Sequence, residues 1–560
     1  MDFKKKISEL LKKELKLDLD YESLLEVPPN ISLGNYAFPC FKLSKDLKKA
    51  PNQIANDLTK IKKPNWIKEI KSNGPYLNFY LNPEHYFKKI LKAIEKQKDK
   101  FGSSNIGKNK TIVIDYSSPN IAKPFSIAHL RSTAIGNSLY KINSFLGYKV
   151  IGINYLGDWG LQFGKLIIAF KKWGDNNKLK ENPIKYLYEL YVKFHEQESE
   201  ALENEARAWF CKLENGDKEA LDIWKKFSTL SLKEFKKFYT LMDVKFDSFK
   251  GEAAYNKDLN KVIRMLKNKG ITEMSEGALI VKLENIAPCL LKKKDEASLY
   301  ATRDIAAAID RKKQYNFTKA LYVVDVRQSL HFQQFFSVLN KAGFEWSKDL
   351  EHVPFGLMRF KEGTMSTRKG KIIFLEDVIN NAIASVSKII KQKNPKLKNK
   401  EKVAQQVGIG AVFFWDLSHD RVKDLEFDWE KVLDFEGETG PYVQYTFARA
   451  SSILRKAKKK VASNVDYSLF KQDKEIKLIS MLDRFNEVIK DAAVQSKPSV
   501  LARFILELAQ LFNEFYHICK CLGNDVEKEV SSARLLLVQT TAQVLKNGLN
   551  LLGISAPLEM

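Results

Sequence analysis

The spacing of apolar residues changes twice along the chain, and these changes divide it into three regions. In the first region Phe3, Ile7, Leu10 and Leu11 fall on one face of a helix, and the segment YLNFYL at residues 76–81 has the composition of a strand. A charged helix and a short polar loop follow. We therefore expect a small α+β module over residues 1–106.

From Thr111 onward the pattern becomes a repeat of strand, loop and helix. TIVIDY is a continuous apolar run that leads into a helix beginning near Pro124, and YKVIGINYL, ALYVVDV and VPFGLMRF each precede another helical pattern. This order predicts a doubly wound parallel (Rossmann-like) α/β domain over residues 107–381, with a helical insertion at about 182–247. Ligands of such sheets bind at the carboxyl ends of the strands, so the loops after the apolar runs are the candidate site.

Beyond about Ala382 the strand patterns fade, and helical periodicity continues to Met560. We expect a helical bundle over residues 382–560. The length of 560 residues agrees with several domains, because it exceeds what a single hydrophobic core supports.

The chain is strongly basic, with 93 Lys and Arg against 68 Asp and Glu and a formal net charge of +25. This excess favours a polyanionic partner, nucleic acid before an anionic membrane, although lysines spread over solvated helix faces give the same total. No apolar run approaches the roughly 18 residues of a membrane span, so no membrane association is expected. The five cysteines lack C-x-x-C spacing, which predicts neither a zinc site nor a disulfide framework and agrees with a reducing, cytoplasmic compartment.

The stretch SPNIAKPFSIAHLRST at residues 118–133 combines a strand end with the start of a helix. It contains neither G-x-G-x-x-G nor G-x-x-x-x-G-K-[ST], so it is not a standard dinucleotide or P-loop motif. Free N–H groups at a helix N-terminus attract phosphate, and Ser126 and His129 lie three residues apart on one helix face, with Lys123 just before them. Taken alone, the same residues are also explained by a packing histidine and a solvated lysine.

The surrounding residues 117–136 resemble the first signature of class I aminoacyl-tRNA synthetases in its arginine-specific form. The class signature HIGH falls on residues 126–129, where the second histidine is matched by His129, the first is Ser and the glycine is Ala. GDWGLQFGKL, SLYATRDIAAAIDR, FWDLSHDRVKDLEFDW, GETGPYVQYTFAR and the C-terminal LKNGLNLLGISAPLEM agree with the family in order, so the resemblance covers essentially the whole chain. The second signature, KMSK, falls on TMST at residues 364–367, where threonine replaces both lysines.

This resemblance implies an arginine–tRNA ligase that activates L-arginine with ATP, brought in as its Mg²⁺ complex, and transfers it to the 3′ end of arginine tRNA. It implies no protein-bound metal and no protein nucleophile. We expect a cytoplasmic monomer whose partners are arginine tRNA, L-arginine and ATP.

The resemblance also assigns site residues. Adenylation is assigned to Lys123, Ser126, His129, Arg368 and Lys369. The ATP site is assigned to Ser126, His129, Gly157, Met365 and Ser366. The arginine site is assigned to Asp115, Ser118, Asn120, Tyr300, Asp304 and Gln328. Contacts with tRNA are assigned to Tyr76, Asn78, Tyr442, Tyr445 and Met560. The chemistry agrees, because a guanidinium prefers carboxylate partners and a developing phosphate charge needs cations and N–H donors.

Other interpretations remain open at this point. One alternative for Asp304 is an ion pair with Arg311 or a nearby lysine. Asp115 is a possible cap of the next helix. The aromatic residues assigned to tRNA binding are possible core residues. A class I ligase for another amino acid is a second candidate, although an acid and a tyrosine four residues apart argue against a neutral substrate. A non-catalytic RNA-binding paralogue is a third, supported by the altered SIAH and TMST segments.

Overall fold

The computed structural model describes residues 3–28, 31–292, 300–360, 374–458 and 460–560. Its strands are β1 (Tyr36–Pro39), β2 (Ile67–Asn73), β3 (Tyr76–Leu81), β4 (Thr111–Asp115), β5 (Lys149–Ile153), β6 (Glu273–Ser275), β7 (Ala278–Val281), β8 (Cys289–Lys292), β9 (Lys319–Asp325), β10 (Leu350–Phe355), β11 (Met358–Phe360) and β12 (Leu425–Phe427).

The helices of the described residues fall into two groups along the chain. Those before residue 250 are α1 (Phe3–Leu15), α2 (Tyr21–Leu24), α3 (Ser44–Leu47), α4 (Pro51–Leu58), α5 (Pro83–Gln97), α6 (Ile127–Phe145), α7 (Leu161–Trp173), α8 (Asn176–Glu181), α9 (Pro183–Glu196), α10 (Glu200–Glu214) and α11 (Lys218–Leu241). Those after it are α12 (Leu259–Asn268), α13 (Tyr300–Tyr315), α14 (Ser329–Lys341), α15 (Leu375–Lys393), α16 (Lys400–Ser418), α17 (Trp429–Val432), α18 (Gly440–Lys456), α19 (Asp473–Asp483), α20 (Phe485–Val494), α21 (Pro498–Ile518) and α22 (Lys528–Leu551).

The chain forms two compact units. The first comprises Met1–Phe101, Arg449–Phe485 and Glu507–Leu545, and the second comprises Gly102–Ala448, Asn486–Leu506 and Lys546–Met560. In none of the described residues does a helix combine the length and the apolar composition that a membrane span needs.

The first unit contains an antiparallel sheet in the order β1-β3-β2. The apolar face expected for the N-terminal helix is confirmed for Phe3, Ile7 and Leu11 of α1, which are fully buried, whereas Leu10 is only half-buried. In the helical part of the same unit, Asp483 of α19 accepts a hydrogen bond of 3.1 Å from the hydroxyl of Tyr86 on α5. The N-terminal module thus shares a unit with C-terminal helices that the sequence pattern placed in a separate bundle.

The second unit is built on a four-stranded parallel sheet in the order β10-β9-β4-β5. From β4 the chain passes through α6 to β5 on one side, and from β9 it passes through α14 to β10 on the other. The strand order therefore reverses between β4 and β9, where Asp115 lies opposite Tyr322. This confirms the doubly wound sheet, and its ligand crevice is expected at the carboxyl ends of these two central strands.

Two short structural features were not anticipated from the sequence pattern. Strands β6, β7 and β8 form a small antiparallel sheet whose Leu279, Val281 and Leu291 side chains join the core against α13 and α14. Strand β12, within the region expected to be helical, pairs in parallel with β11. Strands of three or four residues are too short to produce a recognisable period of two.

Candidate active site at the carboxyl edge of the parallel sheet

Asp115, the last residue of β4, is buried beneath the candidate site. Its Oδ1 accepts a 2.8 Å hydrogen bond from Ser118 Oγ, and Oδ2 lies 2.8 Å from Nη2 of Arg311, a pair whose side chains are 5% and 3% exposed. The Ser118 hydroxyl also accepts from the Tyr155 N–H at 3.1 Å. Capping of the next helix by Asp115 is therefore the wrong alternative, since Ser126 occupies the N-cap of α6.

Asn120 and Gly157 join the loops that follow β4 and β5. The two residues form a parallel bridge, in which Gly157 N donates to Pro119 O at 3.1 Å and Ile121 N donates to Gly157 O at 3.0 Å. A Cβ at residue 157 would lie only 2.1 Å from Asn120 Oδ1. Glycine is thus needed there for the two loops to approach, and the predicted ATP-site glycine lies beside the predicted arginine-site asparagine.

His129 lies in the first turn of α6, where the sequence predicts a phosphate or ribose contact. Its Nδ1 accepts from the backbone N–H of Ser126 at 3.1 Å, which leaves the proton of the neutral ring on Nε2. The ring stacks on Phe125 with a centroid distance of 5.3 Å. Burial, assisted by the charge of Lys123, lowers the pKa of His129 to about 4, so near neutral pH it is a hydrogen-bond donor and not an acid.

Lys123 lies on the loop that precedes α6, and its ammonium is 5.4 Å from the ring centroid of Tyr191 on α9. The predicted residues Met365, Ser366, Arg368 and Lys369 lie outside the described residues. The chain that follows them is beside the first signature, because Phe374 pairs with Ser126 and Leu375 N donates to Phe125 O at 2.8 Å.

Tyr300 and Asp304 lie one turn apart on α13, as their spacing predicted. The Tyr300 side chain is 59% exposed, and its hydroxyl lies 4.0 Å from the position that a Cβ at Gly160 would take. Asp304 Oδ2 lies 2.6 Å from Nε2 of His331 on α14. The alternative in which Asp304 pairs with Arg311 is therefore wrong, because Arg311 pairs with Asp115 instead.

Glu252 is a candidate site residue that the sequence reasoning missed. Its backbone N–H donates to Leu156 O at 3.0 Å, and its Oε2 is buried with no hydrogen-bond partner among the described residues. Burial, followed by the negative charge of Asp304, raises the pKa of Glu252 to about 8. The positive charge of Arg303 lowers this pKa only in part, so an added cation would further stabilise the carboxylate form. The only signal in the sequence is a glutamate after a glycine in the loop KGEAAYN.

A second buried acid borders Glu252. Asp158 Oδ1 accepts from Ala253 N at 2.8 Å, and burial raises the pKa of Asp158 to about 6. Gln328, the remaining predicted arginine ligand, is exposed after β9 and lies three residues before His331. Asp115 and Glu252 both lie close enough to Asp304 for its negative charge to raise their pKa values.

The predicted tRNA contacts differ in accessibility. In the first unit Tyr76 is half-buried, with its ring 6.0 Å from that of Phe41, and Asn78 is buried within the sheet. In the second unit Tyr445 of α18 is 40% exposed and Tyr442 is half-buried. The Met560 carbonyl accepts from Asn394 Nδ2 at 3.0 Å, and its side chain packs against the apolar cluster of α15 and α16.

A parallel sheet of this order, with a histidine-bearing helix N-terminus at its switch point, is the architecture of class I aminoacyl-tRNA synthetases. The family model "tRNA synthetases class I (R), catalytic domain" matches residues 90–429, "Arginyl tRNA synthetase N terminal domain" matches 1–81, and "DALR anticodon binding domain" matches 443–560. The chain belongs to the arginyl-tRNA synthetase family.

The sequence matches curated relatives over its full length. The chain is 49% identical to the arginine–tRNA ligases of Clostridioides difficile (strain 630) and Alkaliphilus metalliredigens (strain QYMF), with 100% of each chain covered in both cases. Among solved structures it is similar to the arginyl-tRNA synthetase of Thermus thermophilus, with a TM-score of 0.81, 25% identity, and coverage of 100% of this chain and 99% of that one. The expectations of an α/β fold and of an aminoacyl-tRNA ligase specific for arginine are confirmed.

Proposed function

We propose that the site at the carboxyl edge of the sheet carries out both steps of arginine–tRNA ligation. The carboxylate of arginine attacks the α-phosphorus of ATP, which forms the mixed anhydride and expels pyrophosphate. A ribose hydroxyl at the 3′ end of the tRNA then attacks the activated carbonyl and expels AMP. The observations that carry this proposal are the interacting negative charges of Asp304 and Glu252 and the neutral histidine donor in the first turn of α6, all within the second unit.

The acids Asp304 and Glu252 are suited to a guanidinium group. We propose that Asp304, Tyr300 and Glu252 bind the guanidinium, since its five N–H donors need more acceptors than one carboxylate supplies. The polar groups after the central strands then bind the amino and carboxylate groups of the substrate; these are Asp115, Ser118, Asn120 and Gln328. Asp115 retains acceptor capacity although both of its oxygens are already engaged.

Adenylation needs donors and cations around the phosphates. We propose that His129 Nε2–H, Ser126 and the backbone at Gly157 hold the nucleotide, together with Met365 and Ser366. Positive charge for the leaving pyrophosphate comes from Lys123, Arg368 and Lys369, and Mg²⁺ arrives with the ATP phosphates. Among the described residues no cluster of His, Cys, Asp or Glu is arranged to hold a resident metal.

Binding of tRNA is proposed to use the outer parts of the chain. Tyr76 and Asn78 of the module at residues 1–106 are assigned to the tRNA elbow, and Tyr442, Tyr445 and Met560 of residues 382–560 to the anticodon, with catalysis in residues 107–381. The net charge of +25 makes the phosphate contribution salt-dependent. We propose a cytoplasmic monomer as the working form.

The proposed function is tested by exchange of labelled pyrophosphate into ATP. We expect exchange only when arginine and arginine tRNA are both present, and no exchange when lysine or citrulline replaces arginine. Exchange with another amino acid would instead indicate a different class I ligase. Tight tRNA binding without exchange under any condition would indicate a non-catalytic paralogue.

Replacement of Glu252 by glutamine is expected to raise KM for arginine about ten- to a hundredfold with little change in kcat, since a hydrogen bond to a charged group contributes about 1.5–3 kcal/mol. In the parent enzyme, KM should fall as the pH rises through about 8, because only the ionised carboxylate pairs with the substrate. The variant should lose this dependence. Asp310→Asn is the matched control, because Asp310 lies in the same region but already pairs with Lys250 at 2.6 Å. An unchanged KM and pH profile in Glu252→Gln would remove Glu252 from the arginine site.

A further inference from the structure

The loop at residues 117–125, which leads into the SIAH segment of the first signature, has an unusual backbone. We call it the signature loop. Ser117, Ser118 and Ala122 have φ angles of 70°, 45° and 60°. This left-handed region is disfavoured for residues with a Cβ, so three such residues close together persist only where surrounding contacts hold them. Ser118 is also the residue whose hydroxyl joins Asp115 to the Tyr155 N–H.

The contacts that hold the signature loop come largely from one helix of the insertion. On α11, the Tyr239 hydroxyl lies 2.7 Å from Ser117 Oγ, and Ser231 Oγ accepts from Ala122 N at 3.2 Å. The Phe125 ring packs edge-on against Tyr239 at a centroid distance of 5.6 Å. Both Tyr239 and Ser231 are buried, so α11 supports the loop at its beginning, middle and end.

Tyr239 also lies in the middle of a buried chain of hydrogen bonds. Asn154 Nδ2 donates to the Tyr239 hydroxyl at 2.8 Å. Ser117 Oγ, the other neighbour of that hydroxyl, lies 2.9 Å from Thr133 Oγ1. Thr133 Oγ1 in turn lies 2.7 Å from the His129 carbonyl oxygen. The hydroxyl of Tyr239 thus connects the end of β5, the signature loop and the first turn of α6.

We propose that Tyr239 is a positioning residue that holds the strained signature loop, and with it Ser118 and Asn120, in the geometry that binds arginine. This inference rests on the proposed function, in which those two residues bind the substrate. It gives the helical insertion a role in arginine binding through α11, although Tyr239 itself touches no substrate. Removal of one hydroxyl should let the loop relax toward unstrained angles.

The test is the variant Tyr239→Phe, which removes the hydroxyl and keeps the ring. We expect KM for arginine in pyrophosphate exchange to rise by about tenfold or more, because the loop that binds arginine is displaced. The change in kcat should stay below about threefold. The matched control is Tyr186→Phe. Tyr186 is another buried tyrosine of the insertion, and its hydroxyl accepts from Asp175 N at 2.7 Å and donates to Trp173 O at 3.2 Å.

A rescue experiment separates positioning from a general loss of stability. Ala122→Gly removes the Cβ from a residue at φ 60°, so it should lower the strain of the loop. Added to Tyr239→Phe, it should restore KM for arginine by severalfold, whereas added to Tyr186→Phe it should leave KM for arginine unchanged. If Tyr239→Phe does not fold, Ser231→Ala tests the same support at Ala122 and should also raise KM for arginine.

Two results would overturn the inference. The first is that, in an enzyme whose parent form is active, Tyr239→Phe raises KM for arginine no more than Tyr186→Phe does. The comparison applies when the two variants show the same decrease in thermal midpoint. The second, for the case in which Tyr239→Phe does not fold, is an unchanged KM in Ser231→Ala. Absence of arginine-dependent exchange in the parent enzyme would instead contradict the proposed function, so the two failures are distinguishable.

Discussion

Replacement of Asp304 by asparagine is expected to lower kcat/KM for arginine by roughly 30- to several-thousand-fold. Truncating one partner of a hydrogen-bonded charge pair that is taken out of water costs about 2–5 kcal/mol, and each 1.4 kcal/mol is a factor of ten. Among the described residues Asp304 lies 2.6 Å from His331, which carries no obligatory charge, and the charge of Asp304 raises the pKa of Glu252. The substrate guanidinium is therefore the permanent cation that this carboxylate is proposed to bind.

The measurement is steady-state pyrophosphate exchange with arginine as the varied substrate. Asp310→Asn again provides the control, because it removes a carboxylate of the same helix that is paired with Lys250. The loss in Asp304→Asn should fall mainly on KM for arginine, while KM for ATP stays within about threefold of the parent value. A variant that keeps the parent kcat/KM for arginine would exclude Asp304 from the specificity site.

Replacement of Lys123 by alanine is expected to lower kcat by on the order of 10²–10³-fold, with little change in KM for arginine. Charge develops on the phosphate oxygens and pyrophosphate only as the reaction proceeds, so a cation that stabilises it acts on the transition state more than on the bound substrate. Both lysines of the KMSK signature are replaced by threonine here, and Lys123, Arg368 and Lys369 are the cations proposed to supply the charge.

Single-turnover formation of the adenylate is the direct measurement for Lys123→Ala. Lys193→Ala is a suitable control, because its ammonium also lies over an aromatic ring of the same unit, 4.9 Å from the centroid of Trp173. The stability lost with the cation–π contact should then be similar in the two variants. A pure increase in KM, with the rate of adenylate formation unchanged, would assign Lys123 to substrate binding instead.

The insertion between β5 and the β6–β8 sheet contacts the loop that precedes α6. Its helix α9 places Tyr191 under Lys123, and α11 supplies the contacts of Tyr239 and Ser231 to the signature loop. The sequence pattern predicts it only as a helical insertion into the sheet domain. Its buried face carries side chains that contact the signature loop at Ser117, Ala122 and Phe125.

Much of the molecule follows from the sequence alone. The continuous apolar runs determine β4, β5 and β9, because strands buried on both faces need apolar residues at consecutive positions. The run VPFGLMRF is instead divided between the end of β10 and β11. The helical period determines the buried face of α1, and the spacing of Tyr300 and Asp304 places them on one side of α13. The three-residue spacing of Ser126 and His129 likewise predicts that they are neighbours at the start of α6. All of these features depend on residues that are close in the sequence, so the sequence predicts them.

The tertiary structure decided which charged groups meet. Asp115 pairs with Arg311, and Asp304 with His331, because the ends of non-adjacent strands and helices converge at one edge of the sheet. Glu252 becomes a site residue only when its loop is packed against Leu156, where burial deprives its carboxylate of water. No local period encodes such a meeting. The sequence determined the elements and the chemistry they carry, and long-range packing decided which of those groups lost solvent and which partners replaced it.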